Sequence, residues 1–396
     1  MLFLFPLVSA NWYAAEFQDQ IKATTDVEAR ARLEGRSDPD FARATDDANT
    51  QLLLRIRPGV TVTKEAWTGR LQFQYTEGRT WKTGPDSYTN DLDASLVYLQ
   101  YSKDGTQVTI GRQKVVLADQ RLIGPLEWAN RARSFDGARY KRGEWDVAAF
   151  AIGVSANRPR NARVGYVSRD WNGGKTTYIL KTDSLPAGNT TVHTLDHVWK
   201  GAVGEMQGEV EAAIQAGGAA GKDHFAFALH AGLTRKIGGQ ASVTLEANMA
   251  SGGSSAGNSK TFDNLFPTNH LFYGSADLVS WRNMQEIALR SKIAVDEQSD
   301  MSLAVRKFWL FDSKDAWYGA GGGPNRGPAG PFLDPTGGSG RDLGTEIDFE
   351  YGLKLGARGG INLGAALFVP GHFVKNQVAG PIRNQLWFYA SSSFKF

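Results

Sequence analysis

The sequence predicts an all-β protein, a transmembrane antiparallel β-barrel of about 18 strands. Three observations predict this class: apolar and polar residues alternate with a period of two, the alternating segments run to nine to twelve residues, and many polar faces are charged. A tilted strand needs about 9–11 residues to cross a bilayer, whereas strands in globular proteins have a mode of about 5–6. A charged inner face suits a water-filled lumen better than a packed core.

The composition is consistent with this class. No run of about 18 apolar residues occurs in the 396 residues, which excludes a helical membrane protein. Mean hydropathy is negative, as in a barrel whose strands alternate lipid-facing and lumen-facing residues. The 45 glycines suit turns, and the aromatic fraction of 11% suits two interfacial girdles. For that girdle role we expect Trp67, Trp81, Trp128, Trp145, Trp171, Trp199, Trp281, Trp309, Trp317 and Trp387.

The absence of cysteine excludes disulfides, thiolate metal sites and cysteine nucleophiles. The formal net charge of +3 is too small to indicate nucleic-acid binding. We therefore expect no cofactor, no metal and no nucleic-acid partner.

The most informative strand lies at residues 385–396. Leu386, Phe388 and Phe394 fall on one face, and polar residues such as Gln385 and Lys395 fall between them. Such a strand closes a barrel against its first strand, here residues 27–35, and its terminal Phe396 is expected to be read by the barrel-assembly machinery. In the opening strand the apolar residues Val27, Ala29, Ala31 and Leu33 alternate with the charged residues Glu28, Arg30, Arg32 and Glu34.

The predicted organisation is a single barrel domain over residues 11–396. Residues 1–10 (MLFLFPLVSA) read as a signal-peptide remnant, with an apolar run and a Val-Ser-Ala pattern. Long loops are predicted near residues 80–92, 251–281 and 319–341. The third is rich in glycine and proline, and whether it folds inward would decide the bore of the pore.

Two segments resemble a known family. Residues 111–139 read GRQKVVLADQRLIGPLEWANRARSFDGAR, and residues 261–283 read TFDNLFPTNHLFYGSADLVSWRN. Both resemble the bacterial alginate export family of outer-membrane porins, and together with the closing strand the resemblance covers the chain from about residue 26. It implies a single-chain barrel of eighteen strands with an arginine-rich lumen that passes a uronate polymer. Fold alone does not determine the solute.

The predicted pore-lining residues are mostly basic, because guanidinium groups bind carboxylates in bidentate fashion and stay charged. The set comprises Arg30, Arg32, Arg55, Arg57, Arg70, Arg112, Asp119, Arg121, Arg133, Asp136, Arg139, Lys141, Arg290, Lys292, Arg306 and Lys354. Of these, Arg112, Asp119, Arg121, Arg133, Asp136 and Arg139 match the family segments and are predicted to lie near the constriction. Acidic residues share the inward face, namely Glu28, Glu34, Glu286, Glu346, Asp348 and Glu350. These acids either weaken anion selectivity or pair with the arginines to brace the wall.

The sequence thus predicts a monomer in the bacterial outer membrane that contacts outer-membrane lipids and passively conducts anionic solutes, above all alginate-like uronate saccharides. A channel for small carboxylates is the alternative, and it differs only in bore. A barrel enzyme is a third class. His193 and His197 lie four residues apart, about 13 Å along a strand, which is too far to share a proton or a metal. His270 and Asp263 share a loop in which residues 253–257 (GSSAG) match GxSxG in letters, but a nucleophile elbow needs a strand-to-helix turn and no helical pattern occurs there.

Overall fold

The computed structural model describes residues 21–82, 84–154, 161–185, 188–255 and 257–396. Residues 1–10, predicted as a signal remnant, lie outside this set. Eighteen long strands follow one another in the described chain: β1 (Ile21–Arg36), β2 (Asn49–Lys64), β3 (Trp67–Lys82), β4 (Gly84–Lys103), β5 (Thr106–Gln113), β6 (Ser134–Arg142), β7 (Trp145–Val154), β8 (Arg163–Trp171), β9 (Gly174–Leu185), β10 (Gly188–Val203), β11 (Met206–Ala219), β12 (Lys222–Ile237), β13 (Ala241–Ala250), β14 (Met284–Ala294), β15 (Ser299–Leu310), β16 (Asp342–Leu355), β17 (Gly359–Pro370) and β18 (Gln385–Lys395).

The strands form a closed antiparallel barrel. Each strand pairs with the next one in the chain, and β18 returns to pair with β1 from Glu28 opposite Lys395 to Arg36 opposite Trp387. Backbone hydrogen bonds between Val27 and Phe396 extend this seam. Closure leaves none of these eighteen described strands with an unpaired edge, which a bilayer would penalise. The predicted fold, strand number and seam are confirmed.

The alternation of burial matches the sequence pattern. On β14, Ile287 and Leu289 are each 54% exposed on the outer face, while Glu286 and Ala288 are buried on the inner face. Glycines allow close packing at the seam: a Cβ on Gly35 would lie 2.3 Å from the Phe388 ring. Charged residues therefore line the interior and aliphatic ones face the lipid.

The two ends of the barrel differ in their connections. Eight short turns, each of two to four residues, stand at one end, for example between Glu65 and Ala66 or Asp104 and Gly105. The opposite end carries the long connections 37–48, 114–133, 251–283, 311–341 and 371–384. Short turns are periplasmic and long loops external in barrels of this type.

One predicted loop is wrong. Residues 80–82 and 84–92 continue the β3–β4 hairpin, in which Glu77 pairs with Asn90 and Thr80 with Ser87. The polar composition of this segment is typical of a loop. Outside the bilayer, however, two paired strands can keep their backbone hydrogen bonds with both faces in water.

Helical structure is minimal in the described residues: a 3₁₀ turn at Asn269–Leu271 and one α-helical turn, α1 (His372–Lys375). In that part of the chain no helix is long and apolar enough to cross a membrane.

The long loops fold into their end of the barrel and create an apolar core there. Trp317 and Phe332 of loop 311–341 pack with each other and with Phe41 of loop 37–48, and both Trp317 and Phe41 pack with Phe368 on β17, with ring centroids 5.5–6.0 Å apart. Trp281 and Trp387 are likewise buried in this core. Of the predicted girdle tryptophans, Trp67, Trp145 and Trp171 are about half exposed near the short turns, but Trp281, Trp317 and Trp387 are not girdle residues.

Candidate functional site

Loop 114–133, the crossing loop, is the main feature of the lumen. Three arginines of β1 and β2 hold one side of it: Arg30 Nη1 donates to the Glu127 carbonyl at 2.9 Å, Arg55 Nη1 donates to the same oxygen at 3.0 Å, and Arg32 Nη1 donates to the Trp128 carbonyl at 2.6 Å. All three arginines are at most 9% exposed. They lie on the inner wall, where the loop covers them.

The other side of the crossing loop reaches the opposite wall. Arg121 is buried, with Nε 3.4 Å from a Glu211 carboxylate oxygen on β11 and Nη2 3.1 Å from His230 Nε2 on β12. Nearby, Arg133 Nη1 donates to the carbonyls of Gly124 and Phe266 at 2.8 and 2.5 Å. The crossing loop therefore spans the lumen and joins loop 251–283.

Charge is concentrated around Glu127. Its carboxylate accepts from Arg57 Nη1 at 2.7 Å and lies 2.5 Å from Lys114 Nζ. Burial opposes ionisation, but the charges of Arg57, Lys114 and Arg55 lower the pKa of Glu127 to about 2. We call this set the brace cluster, which comprises the cations Arg30, Arg32, Arg55, Arg57 and Lys114 and the carboxylates of Glu28, Glu34 and Glu127. Its five cations and three carboxylates leave an excess of two positive charges.

Several predicted residues brace the wall through single ion pairs. Arg112 Nε donates to Asp136 at 2.7 Å, and Arg139 Nε donates to Asp146 at 2.8 Å. Arg70 pairs with Asp26 in the same way.

Arg306 has two carboxylate partners. It donates to Glu286 at 2.6 Å and to Asp348 at 2.9 Å, and all three side chains are buried. In these pairs inward carboxylates neutralise the arginines, which is one of the two arrangements that the sequence left open.

The basic residues that remain accessible lie nearer the short turns. Lys200 on β10, Arg290 and Lys292 on β14 line a polar cavity of about 540 Å³, with side chains 53%, 40% and 63% exposed. Each has one carboxylate neighbour, at 2.8–3.3 Å: Glu209, Glu246 and Asp300, respectively. We call these three cations the accessible set.

The cavity connects with two neighbouring spaces. A space of about 280 Å³ toward the long loops shares Arg290, Ser302 and Glu350 with it. A recess of about 580 Å³ at the β8–β9 turn shares Asp119 and Lys200. Together these spaces extend from the β8–β9 turn to Trp128 of the crossing loop.

Two predicted residues, Lys141 and Lys354, do not line any of these three spaces. Lys141 is 42% exposed, with Nζ 3.8 Å from Asp146. Lys354 is exposed near the end of β16, where its backbone N–H donates to Gln298 in a short turn. Asp119 lines the cavity and holds Arg121 at 3.1 Å.

Some residues of the lumen were not predicted. Lys200 lies four residues after Asp196 on β10, so the two side chains are on the same face of the strand. The alternation that places Asp196 inside the barrel therefore also predicts Lys200 inside.

Trp128 is enclosed on both faces, by the Arg32 guanidinium and the His270 ring, each 3.7 Å from its centroid. This leaves no free face of Trp128 for stacking on a sugar.

Comparisons with known proteins agree with this architecture. A family model described as alginate export matches residues 22–385. Among solved structures, Pseudomonas aeruginosa OccK5 (OpdH) superposes with a TM-score of 0.62 at 10% identity, covering 94% of this chain and 98% of that one. The outer membrane protein OprD of the same organism gives 0.62 at 9% identity, with 94% and 93% covered. P. aeruginosa OccK7 (OpdD) gives 0.59 at 13%, with 96% and 99% covered. No curated protein matches the sequence.

Proposed function

Because the chain belongs to the alginate export family and forms an outer-membrane channel barrel, we propose that it passively conducts anionic solutes, principally uronate-containing saccharides of the alginate type. The family and the fold suggest a transporter rather than an enzyme. The solute class rests on the side chains that a solute can reach.

The accessible set carries this proposal. Lys200, Arg290 and Lys292 lie around one polar cavity, and each is at least 40% exposed there. Exposed ion pairs contribute only about 0–1 kcal/mol, so a solute carboxylate can compete for these cations with their protein partners. Several weak sites in sequence allow both entry and release, which conduction requires.

A second candidate, a channel for small carboxylates, has one specific observation in its favour. The crossing loop spans the lumen, and the cavity beneath it holds about 540 Å³. That volume is within the range of about 300–1,000 Å³ that holds drug-sized molecules. A solute of one or two sugar units fits such a space more readily than a long polymer does.

Planar-bilayer recording of the purified protein tests the proposal. At low salt we expect open-channel current with a reversal potential that favours anions. Changing Lys200, Arg290 and Lys292 together to Gln should reduce this preference, because the solute-facing positive charge is lost while Glu209, Glu246 and Asp300 remain. The matched control changes the exposed loop residues Lys260, Lys314 and Lys375 to Gln, which removes equal charge outside the lumen and should leave the reversal potential near wild type.

Absence of current, or cation preference in the wild type at low salt, would overturn the proposal. A length series of oligouronates separates the two candidates. Blocking events whose dwell time lengthens with each added uronate unit favour the polymer, while block by monomers and dimers alone favours small carboxylates.

A further inference from the structure

Loop 37–48, at the long-loop end, brings three carboxylates together. One oxygen from each of Asp38, Asp40 and Asp47 lies within 4.8 Å of the others. Oxygens that bind one Ca²⁺ at about 2.4 Å can be no more than about 4.8 Å apart. The three side chains therefore already satisfy the distance limit for a shared ion.

Asp38 provides the second, independent observation. It is only 1% exposed, and neither of its carboxylate oxygens has a hydrogen-bond partner. The nearest described cation, Arg383 Nε, is 4.0 Å away. A buried carboxylate without a hydrogen bond is costly, and two neighbouring carboxylates add repulsion. Burial, Asp47 and Asp40 together raise the pKa of Asp38 to about 6.

The other carboxylate oxygens of the cluster belong to Asp40 and Asp47, and most of them accept hydrogen bonds from the protein. Asp40 accepts from the Ala42 N–H at 2.9 Å and from Thr45 Oγ1 at 2.9 Å. Asp47 Oδ2 accepts from the Asp40 N–H at 3.1 Å, but Asp47 Oδ1 is buried without a partner. Three buried oxygens of the trio, two from Asp38 and one from Asp47, thus accept no hydrogen bond, and the only described cation near them is Arg383, with Nε 4.0 Å from Asp38 Oδ2. Asp40 and Asp47 are partly exposed, so water can complete a coordination shell.

The loop that holds the cluster is anchored on both sides. Phe41 is 1% exposed and packs on Trp317 and Phe368. Ala42 pairs with Ile382, and the Arg383 N–H donates to the Phe41 carbonyl at 3.0 Å, which joins loop 37–48 to loop 371–384 beside the β1–β18 seam. A cation here would stabilise the external end of the seam.

We propose that Asp38, Asp40 and Asp47 form a binding site for a hard divalent cation, Ca²⁺ in preference to Mg²⁺, taken from the external medium. The ligands are all oxygens, as Ca²⁺ prefers, and an irregular loop with a water-accessible side suits its flexible geometry better than the strict octahedron of Mg²⁺. From the sequence alone we expect no metal, and this site departs from that expectation.

Calorimetric titration of the folded, EGTA-treated protein with CaCl₂ tests the site directly. We expect one Ca²⁺ per chain, with MgCl₂ binding more weakly. Asp38→Asn and Asp47→Asn should each weaken Ca²⁺ binding at least about tenfold, since each removes a charged ligand. The matched control is Asp46→Asn, an exposed carboxylate of the same loop outside the trio, which should bind as the wild type does. No saturable binding, or an equal loss in all three variants, would overturn the proposal.

Thermal unfolding separates a ligand from a structural ion pair. With EGTA present, Asp38→Asn should unfold at or above the wild-type temperature, because repulsion within the trio is relieved. Addition of Ca²⁺ should raise the wild-type unfolding temperature and leave Asp38→Asn unchanged. If Asp38 served only to hold Arg383, the variant would be less stable in both conditions, and that result would overturn the site. Asp47→Asn provides the same comparison if Asp38→Asn does not fold.

Discussion

The two halves of the barrel interior contain the same residue types in different states. In the half that carries the long loops, Arg306 is 4% exposed and Trp317 is 1% exposed. In the half with the short turns, Lys200 and Lys292 are more than half exposed around a polar cavity. The difference follows from the loops, which fill one half and leave the other hydrated.

The comparison shows that inward orientation alone does not make an arginine a transport residue. Arg30 and Arg55 donate to carbonyls of the crossing loop, and so they fix the obstruction that sets the bore. Arg290 and Lys292 face open space and can meet a solute. Burial under a loop or in an ion pair, rather than inward orientation, therefore separates the bracing cations from those that a solute could reach.

Removing the crossing loop should have the largest effect on conduction. With residues 116–131 replaced by a short Gly/Ser linker, single-channel conductance should rise severalfold, because the segment between the β1–β2 and β11–β12 walls is gone. The control deletes residues 327–330 from the largely exposed tip of loop 311–341 and should leave the conductance near wild type. Equal conductance in wild type and linker variant would mean that the crossing loop does not limit the pore.

The next largest effect concerns stability. Arg306→Met leaves Glu286 and Asp348 buried without their cation and should lower the free energy of unfolding by about 3–5 kcal/mol. Lys292→Met on the adjacent strand is the matched control, because the Lys292–Asp300 pair is exposed and should cost no more than about 1 kcal/mol. Urea unfolding from lipid vesicles measures both. Similar losses in the two variants would contradict the division of the interior into braced and accessible regions.

Much of the barrel could be predicted from the sequence, because strand alternation is a local property. Period two placed Val27 outside and Arg30 inside, and it identified the closing strand at 385–396. The same rule, applied to Trp387 beside Leu386, would have placed that tryptophan in the interior instead of the girdle. The girdle role of Trp387 was inferred from its residue type alone, without regard to the face of the strand on which it lies.

The braces could not be predicted, because they depend on contacts between distant segments. Arg30 and the Glu127 carbonyl are 97 residues apart, and Arg121 and His230 are 109 apart. Nothing in either segment alone shows that a loop without regular structure enters the lumen and covers a charged wall. The acidic trio of loop 37–48 was missed for a related reason, since only the fold of the loop turns Asp47 back toward Asp38.

A smaller effect is expected from acid. Because the pKa of Glu127 is lowered from 4.5 to about 2, its contribution to holding the crossing loop is fully present above about pH 4.5 and is lost as the pH falls through 2. Bilayer recordings between pH 5 and pH 2 should show increasing current noise as the loop loosens. Glu127→Gln lacks the titrating group and should show that noise already at pH 5. A wild-type trace that does not change over this range would show that Glu127 does not hold the loop.

The smallest effect is expected at Lys354. The sequence places this lysine in the basic track, but it is exposed next to a short turn at the mouth of the barrel, where water and salt screen its charge. Lys354→Gln should therefore change the reversal potential far less than Arg290→Gln does, although both remove one positive charge. If the two variants shift it equally, distance from the cavity does not matter, and the field of the whole lumen, rather than the accessible set, determines selectivity.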